Sequence, residues 1–407
     1  MKHLKIIFRT FLALFTVCFS QLTTAHAQQK PAPDTVRAEY FDSVEVSLLT
    51  CQPHDEVYSL YGHTAIRYHD MHKAEPMDVA FNYGVFNFKA PHFVARFVLG
   101  LTDYELGVYP YRLFQAEYRH FGSMVTEQVL NLTNDEKLSL RRALGINLRE
   151  ENRVYRYNYF YNNCTTKARD IIEQCINGRV EYADRKGYTP SYRDMVHEMT
   201  GRNPWSRWGN DMLLGIKADQ PTDVRQQEFL PHNLMYDFDH AQINADGNRR
   251  PLVRERRISV PAGVQMHEPG FPLSPLTCFQ ALLAIGLALT VLQWRSQCVF
   301  RWWEAVLMLV TGTFGIVLFL MLFSQHPTVS LNLQFILLNP LPFFFLWPVL
   351  RGRRTRYWRL TAILAILFLI GGLFQSYAEG IWTLALCLLM QSVLHSGWMH
   401  RGVKQRR

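Results

Sequence analysis

Hydrophobic positions along this chain fall into two regimes that meet near Pro275. Beyond it, apolar residues run almost unbroken through 276–294, 305–323, 331–350, 360–374 and 381–399, most of them close to the ~20 residues a helix needs to cross a bilayer. Five membrane helices are expected, the third (LNLQFILLNPLPFFFLWPVL) kinked by its three prolines. Before Pro275, apolar residues are spread among polar ones at strand or helix spacing. YSLYGHTAIRYHD at 58–70 and MDVAFNYG at 77–84 read as two strands. In CTTKARDIIEQC, Cys164, Ala168, Ile171, Ile172 and Cys175 share one stripe of an amphipathic helix, with Cys164 in its first turn.

Pairing the two strands antiparallel with Arg67 opposite Asp78 also sets Ala65 opposite Ala80 and His63 opposite Asn82. One face then carries His63, Ala65, Ala80 and Asn82, the other Thr64, Ile66, Tyr68, Val79, Phe81 and Tyr83. The bulky face is expected to pack into a layer, and the small face to leave room for the helix bearing Cys164. The segment APHFVARFVLGL at 90–101 puts Phe93, Val94, Phe97 and Val98 on one helical face. Such a face suits either a dip into the outer leaflet or an ordinary core contact.

The N-terminal 27 residues run from a basic start through an apolar stretch to Ala25-His26-Ala27, the pattern of a signal peptide. Cys18 lies inside that apolar stretch without small residues ahead of it, so a lipid anchor there is not expected. The expected organisation is a signal peptide at 1–27, an exported α+β domain at 28–240 and a linker at 241–275. A membrane domain at 276–399 and a cytoplasmic tail at 400–407 follow. Lys and Arg number two in 295–304, five in 351–359 and four in 400–407, against none in 324–330 and 375–380. That alternation puts the N-terminal domain outside and the tail in the cytoplasm. Setting aside those eleven and the three basic residues of the signal, the formal +9 becomes about −5. The basic balance is topological, and no nucleic-acid partner is implied. There is no internal repeat and no zinc-spaced Cys/His cluster, and no metal or cofactor is expected.

Of seven cysteines, Cys51, Cys164 and Cys175 fall in the exported domain. An odd number in an oxidising compartment leaves one thiol unpaired unless it bridges another chain. Cys51 and Cys175 are a possible disulfide that would leave Cys164 free; Cys175 equally fits a buried apolar site. At a helix N-terminus the amides favour the thiolate, and Thr165 and Thr166 help satisfy them. A strand histidine, an amide to orient it and a helix-start cysteine are the base, orienting group and nucleophile of a cysteine site. The competing readings are a buried structural cysteine and a satisfied structural histidine.

With GHTAIRY on a strand and NNCTTKARDII opening a helix, histidine before cysteine, the chain resembles the circularly permuted papain-like (NlpC/P60-like) superfamily. Lecithin:retinol acyltransferase and its relatives belong there. Signal peptide, exported domain and five-helix tail together more closely resemble the Lnb-type lipoprotein N-acyltransferases of Gram-negative bacteria. The resemblance includes 210–235 and SQHPTVSLNLQFILLNPL at 324–341. It implies an antiparallel sheet with a Cys-bearing helix, followed by five transmembrane helices in the inner membrane. It also implies acyl transfer from a phospholipid through a Cys164 thioester to the α-amine of diacylated lipoproteins. His63 would be the base, with Asn82 orienting it where the acyltransferase relatives carry a second histidine. Backbone amides with Asn163 or Thr165 would hold the oxyanion. Candidate substrate contacts are Tyr61, Tyr83, Asp219, His326, Asn332 and Asn339, although Asp211 and Asp219 also suit a purely structural role. His69 and His72 read as solvated loop residues. The alternatives are a membrane-anchored NlpC/P60-like cysteine peptidase or amidase acting on peptidoglycan peptides, and a non-enzymatic envelope assembly protein.

Overall fold

The computed structural model describes residues 38–395 apart from 55, 72–76, 88, 266–269 and 354–355. The expected signal peptide with Cys18, His72 and the tail 400–407 lie outside the described residues. In chain order the first part holds β1 (Val44–Cys51), β2 (His63–Asp70), β3 (Met77–Val85), α1 (Phe93–Val98), β4 (Asp103–Pro110), α2 (Tyr111–His120), β5 (Val125–Leu130), α3 (Asn134–Asn147), β6 (Val154–Arg156) and α4 (Cys164–Cys175). Then come β7 (Arg179–Glu181), α5 (Tyr192–Thr200), α6 (Pro204–Leu213), α7 (Val224–Gln227), α8 (Pro231–His240), β8 (Gln242–Ala245), β9 (Asn248–Pro251) and β10 (Val253–Val260). The apolar helices are α9 (Pro275–Ser296), α10 (Arg301–Met321), α11 (Leu341–Leu350), α12 (Tyr357–Gly371) and α13 (Ile381–Val393).

Seven strands form one antiparallel sheet in the order β10-β5-β1-β2-β3-β4-β6, and β7-β8-β9 form a second. Helices cover both faces of the large sheet. Tyr111, Phe114 and Tyr118 of α2 fill the space over Leu49, Ala65 and Ala80, whereas α4 reaches the opposite face, where Thr165 Oγ1 meets Thr64 Oγ1 at 3.1 Å. The expectation that the small face receives the Cys-bearing helix is therefore overturned. Small strand residues are required there because three aromatic rings come down from α2, and the volume is conserved between the layers.

The strand register also differs. Arg67 pairs with Ala80 and His69 with Asp78, two residues from the expected alignment. A shift of two keeps every side chain on its face, so Arg67 still reaches Asp78 diagonally, with Nε and Nη2 donating at 2.7 and 2.8 Å. His69 is a half-buried strand residue instead of a loop one. The segment 241–260, expected to be linker, is sheet: β8 and β9 are joined by the two-residue turn Asp246-Gly247, both with positive φ. β10 closes the edge of the large sheet against β5, where Arg257 bonds Glu127 and Glu45.

Beyond Pro275, three helical segments are long and apolar enough to cross a bilayer: Pro275–Ser296, Arg301–Met321 and Leu333–Leu350. Two shorter apolar helices, α12 and α13, accompany them. The third segment is broken as its prolines require, with a single turn at Leu333–Ile336 and α11 starting only at Leu341. Its corner lies against Gly315, where an added Cβ would come within 2.2 Å of the Asn339 backbone.

The two parts are joined by buried hydrogen bonds. The last carbonyls of α6 have no partners within the helix; Gln334 Nε2 donates to Asp211 O at 2.8 Å and Asn332 Nδ2 to Met212 O at 2.8 Å. Gln375 Nε2 donates to Leu214 O at 3.1 Å, and the Gly215 amide to Thr328 O at 2.9 Å.

Candidate active site

The site forms where the β2–β3 ladder ends. Pairing runs from Asp70↔Met77 to Ile66↔Phe81, and the β3–β4 register shifts between Asn82 and Val85. Beyond Ile66 the strands part, as irregular strand ends beside active sites often do. The Thr64 amide lies beyond the β2–β3 ladder and favours the Cys164 thiolate. Gly62, at φ +75, turns the chain into β2 in a place where a Cβ would lie 2.6 Å from Cys51 O. That turn sets His63 as the first residue of the strand.

His63 Nε2 donates to Asn82 Oδ1 at 2.8 Å, so Nδ1 carries the free lone pair that serves the thiol. The ring lies over Gly84, where an added Cβ would come within 2.8 Å of Cε1 and 3.1 Å of Asn82 Oδ1. Gly84 thus leaves the room that the His63 ring occupies, and the sequence hint was its place in the strand segment FNYG.

Cys164 is presented by a helix start that the preceding asparagines build. Asn158 Oδ1 accepts from the Phe160 and Tyr161 amides, and Asn162 Nδ2 donates to Arg156 O at 2.7 Å. Asn163 caps α4, its Oδ1 accepting from Thr165 N at 3.0 Å and Thr166 N at 2.9 Å. Its Nδ2 donates to Tyr159 O and Phe229 O. With both ends of the amide so engaged, Asn163 fixes the helix start that carries the Cys164 thiol.

Burial works against ionising the Cys164 thiol, but the nearby His63 charge and hydrogen bond, the Thr64 amide and the Thr165 hydroxyl outweigh it. They lower the thiol from its ordinary 9.0 to about 7. His63 responds in the opposite direction: burial lowers its pKa, while Cys164, Asn82 and Glu117 raise it above its ordinary value. Each group thus favours the charged form of the other. Cys51, beside His63 on β1, shows the contrast, since burial drives its thiol far upward. Cys51, Cys164 and Cys175 are all free thiols, so the possible Cys51–Cys175 disulfide is not formed.

Cys164, His63 and Asn82 line a pocket of about 190 Å³ with Gln52, Glu117 and Tyr118. Tyr58, Tyr61, Tyr104, Tyr157 and Tyr159 form the wall that this pocket shares with an apolar cavity of about 450 Å³.

Residues 34–227 match the Lnb N-terminal periplasmic domain, and residues 266–401 match the Lnb transmembrane domain. The chain belongs to the Lnb family. It is a lipoprotein N-acyltransferase-like membrane protein of the bacterial inner membrane with a periplasmic domain. No curated protein and no solved structure matches it. The structure carries the sheet of this Lnb chain past the end of the first match, through α8 to β10.

The remaining candidates divide between pocket and scaffold. Tyr61 lines the catalytic pocket and the apolar cavity, and His326 lines the cavity while its Nε2 donates to Phe97 O at 2.9 Å. Tyr83 is buried toward α3, its hydroxyl accepting from Asn147 Nδ2 at 2.8 Å. Asp219 is paired with Arg193 Nε at 2.7 Å, and Asp211 with Arg193 and His197. Asn332 caps the end of α6 as described, and Asn339 closes its own turn onto Ile336 O and the Leu341 amide. Phe93 is buried and Phe97 faces the cavity, so the 90–101 segment belongs to its wall. Gly84, Glu117, Gln52, Tyr118 and the wall tyrosines other than Tyr61 are among the pocket residues that sequence reasoning missed.

Proposed function

We propose that this protein transfers a fatty acyl chain from a membrane phospholipid, through a thioester on Cys164, to the α-amine of the N-terminal diacylglyceryl cysteine of lipoproteins. The observation that carries this reading is a Cys–His–Asn constellation in a pocket walled off from an apolar cavity only by shared tyrosines, in a chain of the Lnb family.

His63 Nδ1 takes the thiol proton and the thiolate attacks the ester carbonyl, forming the C–S bond. The Cys164 amide at the start of α4 would serve as a donor to the oxyanion. Collapse expels the glycerol oxygen, which takes the proton from His63 and leaves as lysophospholipid. The lipoprotein amine then attacks the thioester carbonyl and gives its proton to His63. The C–S bond breaks, the amide forms, and the thiolate–imidazolium pair is restored. The apolar surroundings limit competing hydrolysis. The loop charges support an orientation with the C-terminus in the cytoplasm, reached across five spans. Permuted papain-like connectivity is the fold reading that fits the order of His63 and Cys164.

The test is mass spectrometry of lipoprotein N-termini in cells lacking the protein and in cells carrying Cys164→Ser. Loss of the N-acyl chain in both, with restoration by the wild-type chain, is expected. A Cys164→Ser chain that restores acylation to near wild-type levels would eliminate the thioester.

A further inference from the structure

The cavity behind the tyrosine wall has walls contributed by both parts of the chain. α1 supplies Phe93, Phe97 and Val98; α6 supplies Leu213; Met321 ends α10 and Val329 follows it. At about 450 Å³ it is in the size range of small-molecule sites. Of its polar side chains, His326 Nε2 donates to Phe97 O and Asn210 Nδ2 to Ser206 O and Tyr61 Oη, while Tyr159 Oη and Thr328 Oγ1 are buried without a partner among the described residues. A peptide would find little there to replace its lost water, whereas a hydrocarbon chain needs nothing more. Val94, 71 % exposed on α1, stands at its rim. Met321, which lines it, ends a helix long and apolar enough to cross a bilayer, so the expected orientation puts the cavity near the membrane surface.

We infer that this cavity holds the acyl chain that is transferred from the phospholipid donor, lifting it out of the leaflet so that its ester carbonyl meets Cys164 beyond the tyrosines. The inference rests on the acyl-transfer reading above. It adds a chain-length gauge, and α6 contains the position at which to set it. Gly209 lines the cavity, has ordinary helical backbone, and an added Cβ there meets no atom within 4 Å. A bulky side chain at this position fills the cavity without straining the helix.

The experiment uses the full chain in detergent micelles containing equal amounts of dilauroyl and dipalmitoyl phosphatidylethanolamine, with no amine acceptor. The adduct on the Cys164 peptide is read by mass spectrometry. Burying one methylene favours binding about fourfold. A Gly209→Trp side chain that excludes four methylenes lowers the palmitoyl-to-lauroyl ratio on the order of a hundredfold. Phe97→Ala, which enlarges the cavity, shifts the ratio the other way when distearoyl lipid competes with dipalmitoyl lipid. Unchanged alkylation of Cys164 by iodoacetamide certifies the fold of each variant.

Equal loss of both chains in Gly209→Trp, or unchanged ratios in both variants, overturns the cavity assignment and leaves the acyl-transfer reading standing. Absence of any fatty acyl adduct on the wild-type chain overturns the reading itself, and the cavity assignment falls with it.

Discussion

Replacing His63 by alanine removes the charge and hydrogen bond that together hold the Cys164 thiol at about 7, leaving burial to push it to its ordinary 9.0 or above. Near neutral pH the thiolate fraction then drops from about one half to about one in a hundred, a loss of ~50-fold. The two added pKa units make each remaining thiolate more nucleophilic, by ~8-fold at a Brønsted coefficient of about 0.45. The net expectation is reaction with a dipyridyl disulfide ~6-fold slower than wild type near neutral pH, and ~7-fold faster near pH 10, where both thiols are ionised. The two pH–rate curves must cross. The assay is timed labelling of full-length protein in detergent, followed by quantification of the Cys164 peptide, which keeps the exposed Cys298 and the buried Cys51 out of the signal. Curves with the same midpoint in both proteins would refute the electrostatic coupling of His63 to Cys164, whatever happened to acyl transfer.

Gly84→Ala drives a methyl to within 2.8 Å of the His63 ring; the chain is expected to fold, with acyl loading of Cys164 reduced at least about tenfold. The check is adduct formation normalised to folded protein by circular dichroism. Gln334→Leu leaves the Ala378 amide buried without its partner and Asp211 O with only a longer contact from Arg193 Nη1 at 3.4 Å, at a cost of roughly 1–3 kcal/mol; thermal unfolding in detergent should show a fall of several degrees in Tm. A reporter fused after Arg407 should behave as cytoplasmic and one fused near Gly270 as periplasmic, since the basic loops fall on one side; an external C-terminus would require a different number of spans.

Much of the site was legible because it depends on parity and local spacing. The α4 stripe follows from the helical period, and Asn163 with Thr166 forms a capping box visible in NNCTT. His63 and Asn82 were matched under a register that is two residues off, and they still meet because a shift of two preserves the face. Alternation alone cannot choose between registers of equal parity. Longer side chains then close the gap: Arg67 reaches Asp78, and the His63 ring reaches Asn82 over the side-chain-free Gly84. The partner of the small face was not legible, since Ala65 and Ala80 say only that something bulky lies opposite them. The hairpin at Asp246-Gly247 carried its own turn signal, masked by the arginines of β9 and β10. Those arginines are paired with Glu181, Glu45, Asp239 and Glu127, residues distant in sequence.

The polar residues in the membrane part have a consequence for how substrate reaches the thiol. Asn332, Gln334 and Gln375 cap the open carbonyls of α6 from outside the periplasmic domain. His326 and Ser324 similarly hold the end of α1 through Phe97 O and Val98 O. The three bonds onto α6 are buried and the two onto α1 partly so, and breaking them leaves donors unsatisfied in a poorly hydrated place, although Arg193 also reaches Asp211 O and Leu214 O. A swing of the catalytic domain away from the bilayer would have to break several together. Cys164 is therefore held at a fixed place relative to the apolar helices, and on the acyl-transfer proposal the acyl group would travel to it, rising from the leaflet along an apolar path. Fixing the thiol in this way exchanges domain motion for lipid motion, and it places the burden of specificity on the walls of that path.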